Sequence, residues 1–290
     1  MEGCTLCPRM CGADRSRSVG YCASGSLAKV ARAAKHHWEE PCISGTEGSG
    51  TVFFSGCTLG CVFCQNREIS RGGVGKELTA EQLSEVFQRL VSQGVHNLNL
   101  VTPTHFTPQI LQALDLAKPS IPIVMNCGGY ERVETLKRWD GKIDVYLPDL
   151  KYFSPELSAK YSAAPDYFIV ASKAILEMHR QQPELVWEGN LLKKGLIVRH
   201  LVLPGCWKDS LALLDFLDKN LPKDRFLLSL MSQYTPTAAC AAYPEINRRV
   251  TTYEYRKVAD RAAELGFSGF AQDRRSAKEE YTPPFDLEGV

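Results

Sequence analysis

The run Ser55-Gly56-Cys57-Thr58-Leu59-Gly60-Cys61-Val62-Phe63-Cys64-Gln65-Asn66 sets three cysteines at C-x3-C-x2-C spacing. It follows Thr51-Val52-Phe53-Phe54, a β-branched and aromatic run that predicts a strand. The thiols therefore belong to the loop that leaves a first β-strand. Three thiolates can hold three corners of a cubane 4Fe–4S cluster, whose full complement is four cysteines. The fourth iron is then open to a small molecule, which turns an electron carrier into a candidate catalyst. The competing readings are half of a zinc knuckle and three buried free thiols. A zinc knuckle would pair C-x2-C with a second such pair or with two histidines.

Outward from this loop, strand-like and helix-like segments alternate. Strands are expected at 51–56, 97–101, 121–125, 143–147, 196–203 and 226–230, with a last one at 267–271. Helices are expected at 79–93, where Thr79 precedes Glu81-Gln82 as a cap, and at 108–117, 131–139, 167–180, 210–219 and 251–265. Repeated β-α units with continuously apolar strands predict an α/β fold, a partial (β/α)6-type parallel barrel. In such barrels chemistry gathers at the carboxyl ends of the strands. One mouth would then collect 57–64, 102–105, 126–129, 149–151 and 204–207. The division expected is a cysteine-rich extension over 1–50, the barrel over 51–272, and a polar, Pro-containing C-terminal extension over 273–290 that wraps the barrel or is partly ordered.

Composition narrows the class. A hydrophobic share of 44% with 23% charged residues is that of an ordinary globular chain, not of a disordered one. A net charge of +1 leaves no electrostatic footprint for nucleic acid or an anionic membrane. No apolar run reaches transmembrane length, and no signal peptide is visible in Met1-Glu2-Gly3-Cys4. Eleven cysteines in such a chain favour metal binding over a disulfide framework. A cytoplasmic protein that needs reducing, low-oxygen conditions is expected.

Cys4, Cys7, Cys11 and Cys22 form a second set, C-x2-C-x3-C-x10-C, with Pro8 directly after Cys7. Four thiolates suit a closed tetrahedral zinc site or a fully ligated auxiliary iron–sulfur cluster, and the two readings stay equal. Without a metal this loop-rich segment has too few apolar residues to order itself. Cys42 is left to support whichever site lies nearby. Cys240 is expected to pack, and Cys127 and Cys206 to fall near the mouth.

The cysteine loop resembles the signature of the radical S-adenosylmethionine (SAM) superfamily. Over roughly 51–235 the chain is similar to pyruvate formate-lyase activating enzyme and its relatives, and most to an uncharacterised branch with a cysteine-rich N-terminal extension. That branch is marked by His37-Trp38-Glu39-Glu40-Pro41-Cys42, Val101-Thr102-Pro103-Thr104-His105-Phe106, Pro148-Asp149-Leu150-Lys151-Tyr152 and Met231-Ser232-Gln233-Tyr234-Thr235-Pro236. The resemblance implies that Cys57, Cys61 and Cys64 carry the 4Fe–4S cluster and that the open iron chelates the amino and carboxylate groups of SAM. One electron then cleaves the sulfonium to a 5′-deoxyadenosyl radical, which abstracts hydrogen. It carries Asn66, Asp149, Lys151 and Arg199 into the SAM site, Arg199 as a fixed cation. Thr102-Pro103-Thr104-His105 stands where the relatives have Gly-Gly-Glu-Pro for the SAM amino group, so Thr102, Thr104 and His105 are candidates for that role. Asn126-Cys127-Gly128-Gly129 replaces Asp-Thr-Asn-Gly, which puts a bound monovalent cation in doubt, and Gln233 stands in for a histidine near SAM.

By resemblance, the substrate is a glycyl residue on a partner enzyme, and the reductant a flavodoxin or ferredoxin. A second expectation is radical modification of a peptide or small metabolite, which would need a closed pocket with polar anchors. A third, from another class, is a non-catalytic iron–sulfur or zinc scaffold. Such a scaffold would have no use for Asn66, Asp149, Lys151 and Arg199.

Overall fold

The computed structural model describes residues 3–271 and 282–290. Its strands in chain order are β1 (Ala28–His36), β2 (Ser49–Phe54), β3 (Lys76–Leu78), β4 (Leu98–Val101), β5 (Ile123–Cys127), β6 (Val145–Pro148), β7 (Val186–Glu188), β8 (Leu191–Leu201), β9 (Leu227–Met231) and β10 (Gly269–Ala271). They form one sheet in the order β10-β9-β8-β6-β5-β4-β2-β1-β3, with β7 paired to β8. From β2 through β10 the neighbours along this path run parallel. Residues of β2, β4, β5 and β6 are buried throughout, as strands covered on both faces must be. This is a mostly parallel α/β sheet of the partial-barrel kind.

The helices that cover it are α1 (Pro41–Ser44), α2 (Arg67–Ser70), α3 (Ala80–Ser92), α4 (Thr107–Ala117), α5 (Val133–Leu136), α6 (Pro155–Ser162), α7 (Tyr167–Gln181), α8 (Trp207–Asn220) and α9 (Thr252–Glu264). Thr79 and Gln82 close a capping box at the start of α3, and Thr251 and Glu254 another at α9. Leu83, Phe87 and Leu90 recur at helical spacing on α3 and are fully buried. Trp139, Tyr146, Tyr167, Phe54 and Phe106 fill the main core between sheet and helices.

Three expectations shift. The segment 1–50 is not wholly an extension: 28–36 form β1, antiparallel to β2 inside the main sheet. Polar residues at Lys29, Arg32 and Lys35 give β1 a three-residue period, because a register shift between Val30 and Arg32 breaks the alternation. The helix expected over 131–139 shrinks to α5 and a 3-10 turn, Lys137–Trp139. α6 was not foreseen; Ser154 caps it and Pro155 opens it. Of the expected C-terminal extension, 273–281 lie outside the described residues, as does 272 before it. Residues 282–290 run along β1, where Ala33 N donates to Glu288 O at 2.9 Å and Leu287 N to Ala31 O at 3.1 Å.

Candidate active site

The loops at the carboxyl ends of the parallel strands enclose a cavity of about 230 Å³. Cys57, Cys61 and Cys64 line one part of it, on the loop leaving β2. That loop turns at Gly60, whose φ of +73° favours glycine; a Cβ there would lie 2.0 Å from the Arg71 guanidinium. Arg71 in turn donates to Leu59 O at 3.2 Å. Each sulfur has a donor: Leu59 N to Cys57 Sγ at 3.3 Å, Ser162 Oγ to Cys61 Sγ at 2.9 Å, and Ser70 Oγ to Cys64 Sγ at 3.6 Å. Burial, then the neighbouring thiols, push Cys57 up to about 12 and raise Cys64. Such thiols keep their protons until a metal takes the sulfur, and donors to sulfur suit a thiolate-bound cluster.

Three charged side chains of the cavity, Asp149, Lys151 and Arg199, form one chain of contacts. Asp149, just past β6, accepts from Lys151 Nζ at 2.5 Å and from Arg199 Nε at 2.9 Å. Arg199, on β8, also donates to Asn126 Oδ1 at 2.5 Å and lies 3.5 Å from Glu39 Oε2. Burial opposes the charge on Asp149, yet Arg199 and Lys151 hold its carboxyl below the usual range. Burial likewise opposes Arg199, and Asp149, Glu40 and Glu39 outweigh it. The end of β6 is tied to that of β5 by Tyr167, whose hydroxyl lies 2.9 Å from the carbonyls of Gly128 and Asp149 and accepts from Lys151 N at 3.0 Å. This clasp needs Gly129: at its φ of +77° a Cβ would meet Asp149 O at 2.1 Å.

Asn66, Thr102, Thr104 and Gln233 also line the cavity, so the fold gathers the residues that the sequence nominated. His105 is the exception. Its ring is buried behind the wall, with Nε2 2.8 Å from Ser55 O, and burial pulls its pKa down to about 4. The ring fixes the start of the cysteine loop rather than facing the cavity. Cys127 lines the cavity as expected. Cys206 caps α8 outside the lining, and Cys42 is buried in a separate apolar cluster with Ile43, Val124 and Val145.

Sequence reasoning missed Glu39, Glu40 and Glu131. After β1 the chain turns into the barrel, where Glu39 Oε1 accepts from Asn99 Nδ2 at 2.9 Å and from Asn126 Nδ2 at 3.2 Å. Burial raises the carboxyls of both Glu39 and Glu40, with Arg199 opposing. Two adjacent acids show no periodicity, and only the strands they meet reveal their role. Glu131 follows β5 and lines the cavity; its one sequence signal is the preceding Gly128-Gly129.

The N-terminal segment is docked on the cysteine loop. Arg9 donates to Thr58 O at 2.8 Å, to Ser162 O at 2.9 Å and to Ala163 O, and its guanidinium lies 4.3 Å from the Tyr21 ring centre. Cys4, Cys7, Cys11 and Cys22 share one neighbourhood. Cys7 feels Cys22 and Cys4, Cys11 feels Cys4, and the sulfurs of Cys11 and Cys22 flank Gly20. Among the described residues no three Cys, His, Asp or Glu side chains converge on one ion. Ligands of a cubane sit on separate iron atoms and need no common centre.

Residues 51–181 match the family model of the radical SAM superfamily. Over that stretch, less than half of its length, the chain is similar to that superfamily. It is 29% identical over 275 residues to the uncharacterized protein MJ0674 of Methanocaldococcus jannaschii, covering 90% of this chain and 74% of that one. Among solved structures it is similar to Streptococcus suis SuiB bound to S-adenosylmethionine, with TM-score 0.50, 14% identity and 79% of this chain covered. It is equally similar to HydG, a maturase of the [FeFe]-hydrogenase, with TM-score 0.50, 15% identity and 78% covered. These two likenesses concern the fold alone, and the chain spans about half of either protein's length, 51% and 52%. Among the described residues no helix is long and apolar enough to cross a membrane.

Proposed function

We propose that Cys57, Cys61 and Cys64 hold the 4Fe–4S cluster and that the adjoining cavity binds SAM for hydrogen abstraction from a substrate. When bound, the cluster and SAM supply a one-electron reductive cleavage that yields a carbon radical. The rest falls to the protein. Arg199 and Lys151 offer fixed positive charge for a carboxylate, held in place by Asp149, Asn126 and Glu39. Asn66, Thr102 and Gln233 offer polar contacts beside the cluster loop. Leu59, Phe63, Val101 and Leu201 line the same cavity and exclude water from the reacting atoms. The observation that carries this proposal is the meeting of three thiols and the Asp149–Lys151–Arg199 chain in one cavity.

Two substrate classes follow. An activase-like reaction on a glycyl residue of a partner enzyme, with a flavodoxin or ferredoxin as reductant, rests on the family resemblance. Radical modification of a peptide or small metabolite is favoured by buried polar anchors inside the cavity, Glu131 and Thr104. The segment before β1 would serve as a metal-binding extension, with Cys4, Cys7, Cys11 and Cys22 holding zinc or an auxiliary cluster against the cysteine loop.

The test is anaerobic incubation of the cluster-loaded protein with SAM, reductant and deuterated candidate substrates. Deuterium is expected in 5′-deoxyadenosine, and Cys57→Ala, Cys61→Ala or Cys64→Ala should abolish SAM cleavage. Cleavage at the wild-type rate in any of the three refutes the ligand assignment.

A further inference from the structure

Arg9 stands between Cys7 and Cys11 of the N-terminal cysteine set, and its backbone N–H is hydrogen-bonded to the Cys7 thiol. Its side chain leaves that segment and reaches the cysteine loop. Nε donates to Thr58 O at 2.8 Å, and one terminal nitrogen to Leu59 O at 3.5 Å and to Ser162 O at 2.9 Å. The other terminal nitrogen donates to Ala163 O. All four of these bonds go to main-chain oxygens, so no carboxylate shares them. The guanidinium also lies 4.3 Å from the ring centre of Tyr21 and 5.2 Å from that of Tyr130.

Two of those oxygens belong to peptides that touch the first cysteine of the loop. The Thr58 carbonyl and the Leu59 N–H are one peptide unit, and that N–H donates to Cys57 Sγ at 3.3 Å. The Leu59 carbonyl and the Gly60 N–H are the next unit, and the Gly60 N–H is hydrogen-bonded to the same sulfur. Arg71 reinforces this second unit, donating to Leu59 O at 3.2 Å. Ser162, whose carbonyl Arg9 also holds, donates its hydroxyl to Cys61 Sγ at 2.9 Å. A cation on a peptide oxygen polarises the N–H of the same unit and strengthens the bond which that N–H makes. Hydrogen bonds to sulfur and local charge set the reduction potential of an iron–sulfur cluster, and donors and cations both favour the electron-rich reduced state.

We infer that Arg9 is a positioning residue that raises the reduction potential of the cluster on Cys57, Cys61 and Cys64, acting through the two peptides between Thr58 and Gly60. The inference rests on the proposed assignment of the cluster to these cysteines. One electron enters the cluster and no bond breaks; the reductant of the proposed reaction supplies it. The N-terminal segment then has a role beyond holding metal: its arginine arm makes the cluster easier to charge by a reductant of given strength.

The test is an anaerobic redox titration of cluster-loaded protein without SAM, followed by electron paramagnetic resonance, on wild type, Arg9→Gln and Arg9→Lys. The signal that disappears in Cys57→Ala is that of the cluster in question. Glutamine keeps a donor but no charge. Arg9→Gln with wild-type iron content should therefore lower the ratio of reduced to oxidised cluster at a fixed potential by about tenfold, a shift of about 59 mV for one electron. Lysine keeps the charge but not the several contacts, so Arg9→Lys should fall between the two. Equal potentials in all three proteins overturn the inference and leave the ligand assignment standing. If Arg9→Gln fails to take up iron, Arg9→Lys decides: a potential below wild type supports the inference, and one equal to wild type overturns it. Loss of iron in both variants makes Arg9 a structural clamp alone and overturns it as well. If no signal disappears in Cys57→Ala, the ligand assignment itself fails and the inference falls with it.

Discussion

Arg199 is held by the protein on three sides, by Asp149, Asn126 and Glu39. A planar guanidinium can meet all three at once and still present an edge to a carboxylate; a lysine ammonium cannot. Arg199→Lys should therefore weaken SAM binding by about tenfold or more while the cluster spectrum persists. Wild-type affinity in that variant would remove Arg199 from the site. Glu131 gives a second prediction, of opposite physical origin. Its pKa is raised to about 7 by burial, against about 4.5 in an unfolded chain, so its stabilising contribution is whole at low pH and declines as pH rises through 7. Glu131→Gln should resist urea better than wild type at about pH 8 and lose that advantage near pH 4. Equal midpoints at both values would show that the carboxyl is not desolvated. At this scale the three clustered cysteines, Asp149, Lys151 and Arg199 were legible because each lies in a short run with its own spacing. Glu39 and Glu131 were not, since nothing local distinguishes a buried acid from a solvated one.

Among the elements, α3 and the cysteine loop differ in what holds them. α3 is a capped amphipathic helix remote from the cavity. Thr79→Ala breaks its capping box and should cost about 1 kcal/mol in urea titration, with SAM cleavage unchanged. The loop depends instead on Gly60. Gly60→Ala meets both an unfavourable φ and the Arg71 guanidinium, so iron content after reconstitution should fall well below wild type while far-ultraviolet circular dichroism stays the same. A full complement of iron would mean that the loop relaxes without losing its ligand geometry. Most helices and central strands could be read from periodicity, α3 and β5 among them. β1 could not, because its register shift erases the alternation, and α5 fell short because the chain must bend after Gly128-Gly129 to bring Glu131 inward.

Over the whole molecule, the N-terminal segment, the barrel and the last residues close on one another. Phe285 packs against Phe53 with ring centres 5.5 Å apart, and Arg32 pairs with Asp286 at 2.8 Å. His36, His105 and His200 are each pulled down to about 4, with burial the largest cause. Arg32 and His37 add to this at His36, Arg15 at His105, and Lys151 at His200. An unfolded chain takes up these protons near pH 6.5, so their contribution is whole above about 6.5 and shrinks as pH falls toward 4. The urea midpoint should drop across that window, and replacing His200 with Gln should flatten the drop.

By itself the sequence determined the alternation of strands and helices, because apolar periodicity is a local property. It marked out the cysteine loop as well, because the spacing of three thiols within eight residues is itself a local property. Only the tertiary structure decided that Glu131 reaches the cavity and that Glu39 stands behind it against Arg199. Burial raises both of these carboxyls, whereas Arg199 and Lys151 hold Asp149 charged against burial, and both effects exist only once the barrel has closed around them.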